Sequence, residues 1–314
     1  MSSLVPVKVS QIEQITPIIR EFTLEAIDQP LLPFSSGSHV VVSIPLQDRI
    51  LRNAYSLLSD PYQDQHYKIA VRLQEDSRGG SRYLHQEVKV GDVLKISAPL
   101  NLFSLHSQAK HHVFIAGGIG ITPFMSHIRQ LVHSGGSFEL HYACRDQLSN
   151  AYESVLNQLF PTQLQVYSER TECRLDVLKL LQQQDLHTHV YICGPDRLIQ
   201  AVQQAAQQLG WSKHRVHWEA FASPPAGTPF KAKLSKSQKT IEVASDYSLL
   251  EALEAQGVEV PSLCRGGVCG QCALKYKDGE VDHHDHFLNI EERQHLLMPC
   301  VSRAKYGSCI ELDL

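Results

Sequence analysis

Apolar and polar residues alternate in short runs over the first third of the chain. His39-Val-Val-Val-Ser-Ile, Tyr67-Lys-Ile-Ala-Val-Arg and Val93-Leu-Lys-Ile-Ser have the β-branched, every-other-residue pattern of half-buried strands, and Val7-Lys-Val-Ser-Gln is another. Gly37-Ser38, Ser59-Asp60-Pro61 and Gly91-Asp92 punctuate them as turns. Many short strands spaced in this way predict an antiparallel β-barrel over residues 1–108. The rhythm then changes. Apolar runs at 113–116, 138–143, 164–167 and 190–193 alternate with stretches of helical period at 124–133, 152–159, 175–183 and 197–209. That alternation predicts an α/β domain with a parallel, doubly wound sheet over residues 109–221. Residues 222–229, Ala-Ser-Pro-Pro-Ala-Gly-Thr-Pro, have no periodicity and read as a linker. Beyond them, 230–234 and 239–243 pattern as a hairpin, 248–256 as a helix ending near Gly257, and 273–277 as a strand before the turn Asp278-Gly279. Residues 230–314 are therefore expected to form a third, small α+β domain.

The strongest chemical signal lies inside that last domain. Cys264-Arg-Gly-Gly-Val-Cys269-Gly-Gln-Cys272 has the spacing C-x4-C-x2-C, and Cys300 follows after Met298-Pro299. Three thiolates on one short loop with a distant fourth is the plant-type ligand pattern of a [2Fe-2S] cluster. Gly266, Gly267 and Gly270 let the loop turn tightly and bring N–H groups to the sulfurs. A structural zinc site usually presents two C-x2-C pairs, whereas Cys300 stands alone. A Rieske centre needs two histidine ligands, and none is suitably spaced in this loop. The metal ligands expected are thus Cys264, Cys269, Cys272 and Cys300. Cys144, Cys173, Cys193 and Cys309 are left over. His283-His-Asp-His286 reads as a solvated turn rather than a metal patch.

Composition narrows the rest. The chain has 314 residues, 43% hydrophobic and 20% charged, with a net charge of −4. This is a globular balance, and it argues against nucleic acid as a partner. No apolar run reaches the length of a membrane span, and the first residues lack signal-peptide architecture, so the expectation is no membrane and a cytoplasmic location. In a reducing compartment eight cysteines favour metal ligation over disulfides.

Two further constellations suggest cofactors. Arg52-Asn-Ala-Tyr55-Ser56 sets a guanidinium, an aromatic ring and a hydroxyl on one extended stretch, and Gly79-Gly80-Ser81 forms a phosphate-type loop ahead of a helix. Gly117-Gly118-Ile-Gly120-Ile-Thr122-Pro and Cys193-Gly194-Pro195 each sit where a strand ends and a helix begins, where ligands of doubly wound sheets bind. The first is not the G-x-G-x-x-G dinucleotide fingerprint. Arg145-Asp146 follows the second strand of that sheet, where Asp146 is placed to bond ribose hydroxyls and to disfavour a 2′-phosphate, while the adjacent Arg145 pulls the other way. Cys193 has no base near it in the sequence, so it is read as a binding position rather than a nucleophile. No catalytic acid, base or nucleophile is assigned.

Taken with Pro99-Leu-Asn101-Leu-Phe103, these motifs resemble the flavin and nicotinamide domains of the ferredoxin reductase superfamily, and the C-terminal part resembles plant-type ferredoxins of β-grasp fold. In this order the whole resembles the phthalate dioxygenase reductase family, which includes vanillate demethylase reductases. The resemblance implies FMN contacts from Arg52, Tyr55, Ser56, Ile69, Ala70, Val71, Gly79, Gly80 and Ser81. It implies NADH contacts near Gly117, Gly118, Gly120, Thr122, Asp146, Cys193 and Gly194, with Glu219 and Phe221 at the flavin and nicotinamide faces. The function it implies is the reductase component of a two-component Rieske-type oxygenase, passing electrons from NADH through FMN and a [2Fe-2S] cluster to the terminal oxygenase. Reductases of carnitine- or betaine-type monooxygenases are the nearest in look. A reductase for a cytochrome or separate ferredoxin, or a non-catalytic NADH-responsive sensor, are the alternatives.

Overall fold

The structure is a computed structural model and describes residues 4–47, 49–63, 65–75, 77–168, 173–221 and 226–314. Three sheets carry the chain. The first is built from β1 (Val5–Thr16), β2 (Ile19–Ala26), β3 (Ser38–Pro45), β4 (Ile50–Ser56), β5 (Tyr67–Arg72), β6 (Val93–Ile96) and β7 (Leu100–Asn101), with the short helix α1 (Gly80–Gln86) after β5. Its order is β4-β3-β6-β1-β2-β5, with β7 on β3. The sheet curls until its two ends meet: Leu58, just past β4, donates its N–H to Lys68 O in β5 at 2.9 Å. This is the antiparallel barrel the alternation predicts, filled by Val9, Phe22, Leu24, Val42, Ile44 and Ile69.

Alternation alone does not reveal β2. Its outward positions, on the face opposite the barrel-filling Phe22 and Leu24, include Glu21 and Thr23, both also buried. A carboxylate in such a run reads as a break, because charge is rarely enclosed without a partner. The partners are distant in sequence, as described below.

The second sheet comprises β8 (His111–Gly117), β9 (Ser137–Cys144), β10 (Leu164–Ser168), β11 (Thr188–Cys193) and β12 (Val216–Glu219). Every pairing is parallel, in the order β10-β9-β8-β11-β12. Helices α2 (Thr122–Ser134), α3 (Glu153–Leu159), α4 (Val177–Gln182) and α5 (Asp196–Gln208) make the crossovers. β8 and β11 read as near-continuous apolar runs because both faces are covered. Strand order reverses between β8 and β11, so the crevice beyond their C-terminal ends is the switch point where such sheets take ligands. Barrel and parallel sheet belong to one compact unit. His127 of α2 helps to close it: the ring is fully buried and its Nδ1 lies 2.7 Å from Ser36 Oγ of the barrel.

The third sheet forms the second unit. It comprises β13 (Phe230–Leu234), β14 (Thr240–Val243), β15 (Leu274–Asp278), β17 (Leu296–Leu297) and β19 (Cys309–Leu312), in the order β14-β13-β19-β15-β17. A separate pair joins β16 (Val281–Asp282) to β18 (Arg303–Ala304). The hairpin β13–β14 is followed by α6 (Leu249–Ala255), and β19 returns parallel to β13. That is β-grasp order. A reciprocal capping box starts α6: Ser248 Oγ accepts from the Glu251 N–H, and the Glu251 carboxylate accepts from the Ser248 N–H. Of the expected linker, residues 222–225 lie outside the described residues. The remainder is not a free tether, since Gly227 donates to Ser245 O and Thr228 O accepts from Arg303. Among the described residues no helix is long and apolar enough to cross a membrane.

Candidate flavin, nucleotide and iron–sulfur sites

Cys264, Cys269 and Cys272 lie on the loop between α6 and β15, and Cys300 follows β17. The four thiols fall into two pairs. Cys272 Sγ is 3.3 Å from Cys300 Sγ, and Cys264 and Cys269 hydrogen-bond to each other. The first pair is buried and the second half-buried. Two pairs suit two metal ions with two thiolates each. Among the described residues no three His, Cys, Asp or Glu side chains converge on a single ion position, as a mononuclear zinc site would require.

The loop backbone supplies donors to the sulfurs. The Gly266 N–H lies 3.4 Å from Cys264 Sγ, Val268 also turns its N–H to that sulfur, and Gly267 turns its own toward Cys300. The Cys264 hydrogen bond and the amides of Gln271 and Leu263 hold the Cys269 thiol below the ordinary thiol range. Arg265, Gly267 and Gly270 all have positive φ, at 53°, 76° and 75°. A Cβ on Gly270 would sit 2.3 Å from the Phe287 ring, so glycine is required there on two counts. Arg265 is held in its unusual conformation by a two-pronged pair with Glu254, 2.8 Å on each side. Paired thiols ringed by inward amides fit a [2Fe-2S] cluster.

In the stretch His283–His286, His284 and His286 are exposed as a solvated turn would have them, but Asp285 is not. Asp285 is buried and accepts from the N–H groups of Phe287 and Leu288, with Arg293 close by. His284 pairs with Asp282 at 2.9 Å. The turn is a structural hub beside the cluster loop: Phe287, which it orients, covers Gly270.

On the barrel, β4 and the Gly79–Gly80 loop are brought together. A Cβ on Gly80 would lie 2.5 Å from Asn53 Nδ2, and that same amide reaches Tyr55 Oη at 3.4 Å. Tyr55 and the glycine loop thus share one neighbourhood. Asn53, which was not singled out from sequence, is the contact between them; nothing in its local context distinguishes it. Gly79 takes φ 109°, and Ser81 Oγ donates to Ser77 Oγ, whose oxygen also accepts the Gly79 N–H, so the loop is internally braced. Ser56 Oγ is buried with no partner among the described residues. A buried orphan hydroxyl is costly unless a ligand completes it, which fits a flavin with hydrogen-bonding edges. Ile69, Ala70 and Val71 lie on β5, the end strand of the sheet. The Val71 carbonyl is already taken by His85 Nε2 at 2.9 Å, a bond that pins α1 to β5 and requires the proton on Nε2.

At the switch point the glycines divide by role. A Cβ on Gly120 would lie 2.2 Å from Cys193 O, and one on Gly117 would lie 2.6 Å from Pro195 Cδ. These two let the ends of β8 and β11 approach. Gly118 differs: it has φ 54°, and a Cβ there would meet only Ser149, at an ordinary 4.0 Å. Thr122 is buried at the first turn of α2 and donates its hydroxyl to Ile119 O at 3.0 Å. Cys193 is fully enclosed, and burial raises its thiol pKa well above the ordinary value, with the neighbouring Glu219 adding to the shift. Glu219 is its register partner on β12; its Oε2 has no partner among the described residues, and burial pushes the carboxyl up to about 8. Phe221, two residues on, stands exposed. Asp146 closes its own turn by accepting from Ser149 N and Ser149 Oγ, both at 2.9 Å; these bonds, with Arg72 adding a little, hold its carboxyl below the usual range.

A flavin-type barrel fused to a parallel nucleotide sheet, with a four-thiolate ferredoxin unit on the same chain, defines a flavin and iron–sulfur oxidoreductase. Three family descriptions match along the chain: "Oxidoreductase FAD-binding domain" over 6–104, "Dimethylamine monooxygenase subunit DmmA-like, N-terminal domain" over 97–216, and "2Fe-2S iron-sulfur cluster binding domain" over 232–305. The heme-dependent oxidative N-demethylase beta subunit of Ectopseudomonas mendocina is 53% identical over 314 residues, 100% of both chains. The carnitine monooxygenase reductase subunit of Escherichia coli is 45% identical over 98% of both. The solved structure of a phthalate dioxygenase reductase superposes with a TM-score of 0.89 at 33% identity, covering 99% of this chain and 98% of that one. The chain belongs to the phthalate dioxygenase reductase family.

Proposed function

We propose that this chain is the reductase component of a two-component oxygenase system, drawing electrons from NADH on FMN and releasing them through the [2Fe-2S] cluster to a separate terminal oxygenase. The single observation that carries this reading is the pairing of the four thiols with a flavin-type barrel and nucleotide sheet on one chain. A flavin accepts two electrons as hydride and gives them up singly, which neither a nicotinamide nor a cluster can do alone. The residues of the chain bind and orient. Arg52 and the Gly79–Ser81 loop would hold the flavin phosphate, Tyr55, Ser56 and the Ile69–Val71 strand its ring system, and Gly118 would admit the dinucleotide pyrophosphate. Thr122, Cys193, Gly194, Glu219 and Phe221 would border the nicotinamide. Asp146 supports NADH over NADPH, since a carboxylate held ionised repels a 2′-phosphate. Residues 1–108, 109–221 and 230–314 would then be the FMN, NADH and cluster domains.

The relatives named an N-demethylase subunit and a carnitine monooxygenase reductase subunit, at 53% and 45% identity, support a partner that oxidises a nitrogen-bearing substrate. The first name also favours a second reading of the partner, a haem-dependent terminal enzyme in place of a Rieske-type one.

The test begins with the purified protein. Its visible spectrum should show flavin and [2Fe-2S] bands together, the flavin released on denaturation should run as FMN, and NADH should bleach both chromophores and sustain dye reduction over many turnovers. Bleaching once without turnover would favour a sensor and defeat the proposal. Product formation with Rieske-type and with haem-dependent N-demethylase partners, each supplied with NADH, then separates the two readings.

A further inference from the structure

We propose that Glu21 is a positioning residue: it fastens the loop after β9, which carries Asp146, to the strand β5 that borders the flavin site. The proposal rests on the functional reading above, because the roles of that loop and of β5 come from it.

Glu21 lies on β2, between β1 and β5, and is buried. A carboxylate enclosed in a barrel wall needs partners on both oxygens, and it has them. Oε1 accepts from Lys68 Nζ at 2.9 Å, and Oε2 accepts from Tyr152 Oη at 2.7 Å. Lys68 is the residue before Ile69 on β5. Its backbone is locked to the segment after Ser56, since its carbonyl accepts the Leu58 N–H and its N–H donates to Ser59 Oγ, both at 2.9 Å. Tyr152 ends the loop that begins at Asp146. A continuous run of hydrogen bonds therefore leads from the Tyr55–Ser59 stretch through Lys68 and Glu21 to that loop.

A further contact also holds the loop from the barrel side. Thr16 Oγ1 donates to Leu148 O at 2.7 Å. Tyr152 has φ 64°, a left-handed conformation that a bulky side chain takes up only when its surroundings impose it. Burial and the neighbouring Glu21 raise the Tyr152 phenol pKa far above its ordinary value, so it remains a donor throughout the working pH range. Tyr142 Oη accepts the Ala151 N–H at 3.0 Å, tying the same loop back to β9. The loop is thus preorganised by a strand on which the flavin would rest, and the affinity for NADH should depend on that preorganisation.

The test uses Tyr152→Phe and Glu21→Gln in the flavin- and cluster-loaded protein. Tyr152→Phe deletes one hydroxyl and leaves the Glu21–Lys68 pair intact, so it serves where Glu21→Gln folds poorly. Flavin and cluster absorbance should be those of the wild type. The KM for NADH in dye reduction should rise about five- to twentyfold, with the limiting rate within about twofold, the signature of lost binding rather than lost chemistry. Electron passage from chemically reduced flavin to the cluster should be unchanged. A wild-type KM in Tyr152→Phe, with only a lower melting temperature, would overturn the proposal and leave Glu21 a strut. A large fall in limiting rate at unchanged KM would also overturn it, by placing the defect at the flavin. Wild-type protein that NADH does not reduce would sink the functional reading itself, and this proposal with it, and that result is distinct from an unaltered ratio between variant and wild type.

Discussion

Acid should open the seam between barrel and parallel sheet, and His127 should account for a measurable share of that. The imidazole is wholly buried among Phe103, Phe114 and Phe124, with Phe114 stacked at 5.8 Å and 15°. Burial, helped by His112, lowers its pKa to about 3 from an ordinary 6.5, against partial support from the Phe103 backbone. The folded form thus resists a proton that the unfolded chain accepts. The stability linked to this group is complete above pH 6.5 and drains away as pH falls toward 3. At pH 5 the unfolded histidine is almost fully charged and the folded one is not, which costs about 2 kcal/mol relative to pH 7.5. In His127→Asn the amide can still meet Ser36, and the smaller side chain should cost about 1–3 kcal/mol at any pH. Wild type and variant should therefore differ most at pH 7.5, with the gap closing by about 2 kcal/mol at pH 5. Urea unfolding followed by tryptophan fluorescence measures this cleanly, because both tryptophans, Trp211 and Trp218, lie in the barrel–sheet unit. His39, His189 and His217, each lowered to about 4 by burial, steepen both curves alike. A gap that stays constant from pH 7.5 to pH 5 would refute the reasoning.

Three other outcomes follow from the sites. Gly270→Ala forces a side chain into φ 75° and into the Phe287 ring, so the cluster loop should lose about 1–3 kcal/mol; iron content and visible absorption would report it. Ser56→Ala removes a buried hydroxyl that no described residue satisfies, so flavin affinity should fall about tenfold while apoprotein stability is unchanged or slightly raised; fluorescence titration measures the first and thermal melting the second. Cys300→Ser should abolish the [2Fe-2S] bands and Cys309→Ser, at an exposed thiol outside the ligand spacing, should leave them intact, as absorption spectra of the two variants would show.

The parts of the fold legible in sequence are those whose cause is local. Ser248 and Glu251 are three residues apart and cap α6 together; Gly135 ends α2 at φ 70°, as a left-handed cap should. The cysteine spacing is local in the same sense, and two of the three glycines expected to turn the loop, Gly267 and Gly270, have positive φ, while the third such position falls on Arg265 rather than Gly266. β2 was hidden because its signal is not local: Glu21 looks like an interruption until Lys68 and Tyr152, 47 and 131 residues away, are seen to neutralise it. His283–His286 misleads for a similar reason. Its polar composition suggests a wet turn, but Asp285 is drawn inward by two amides and Arg293.

The glycines at the switch point show where sequence reading of a site stops. Gly117, Gly118 and Gly120 look alike on the page, and each could be ascribed to a pyrophosphate. In the fold only Gly118 has space around it, while Gly117 and Gly120 are pressed against Pro195 and Cys193. A bulky replacement at Gly120 would therefore disturb the binding crevice from behind, by parting β8 from β11, and would do so with or without a ligand. At Gly118 the same replacement meets no protein atom closer than Ser149 at 4.0 Å, so beyond the strain of its φ 54° the effect should fall on the ligand. The distinction depends on which strand ends are neighbours, and that is a property of sheet order rather than of any motif.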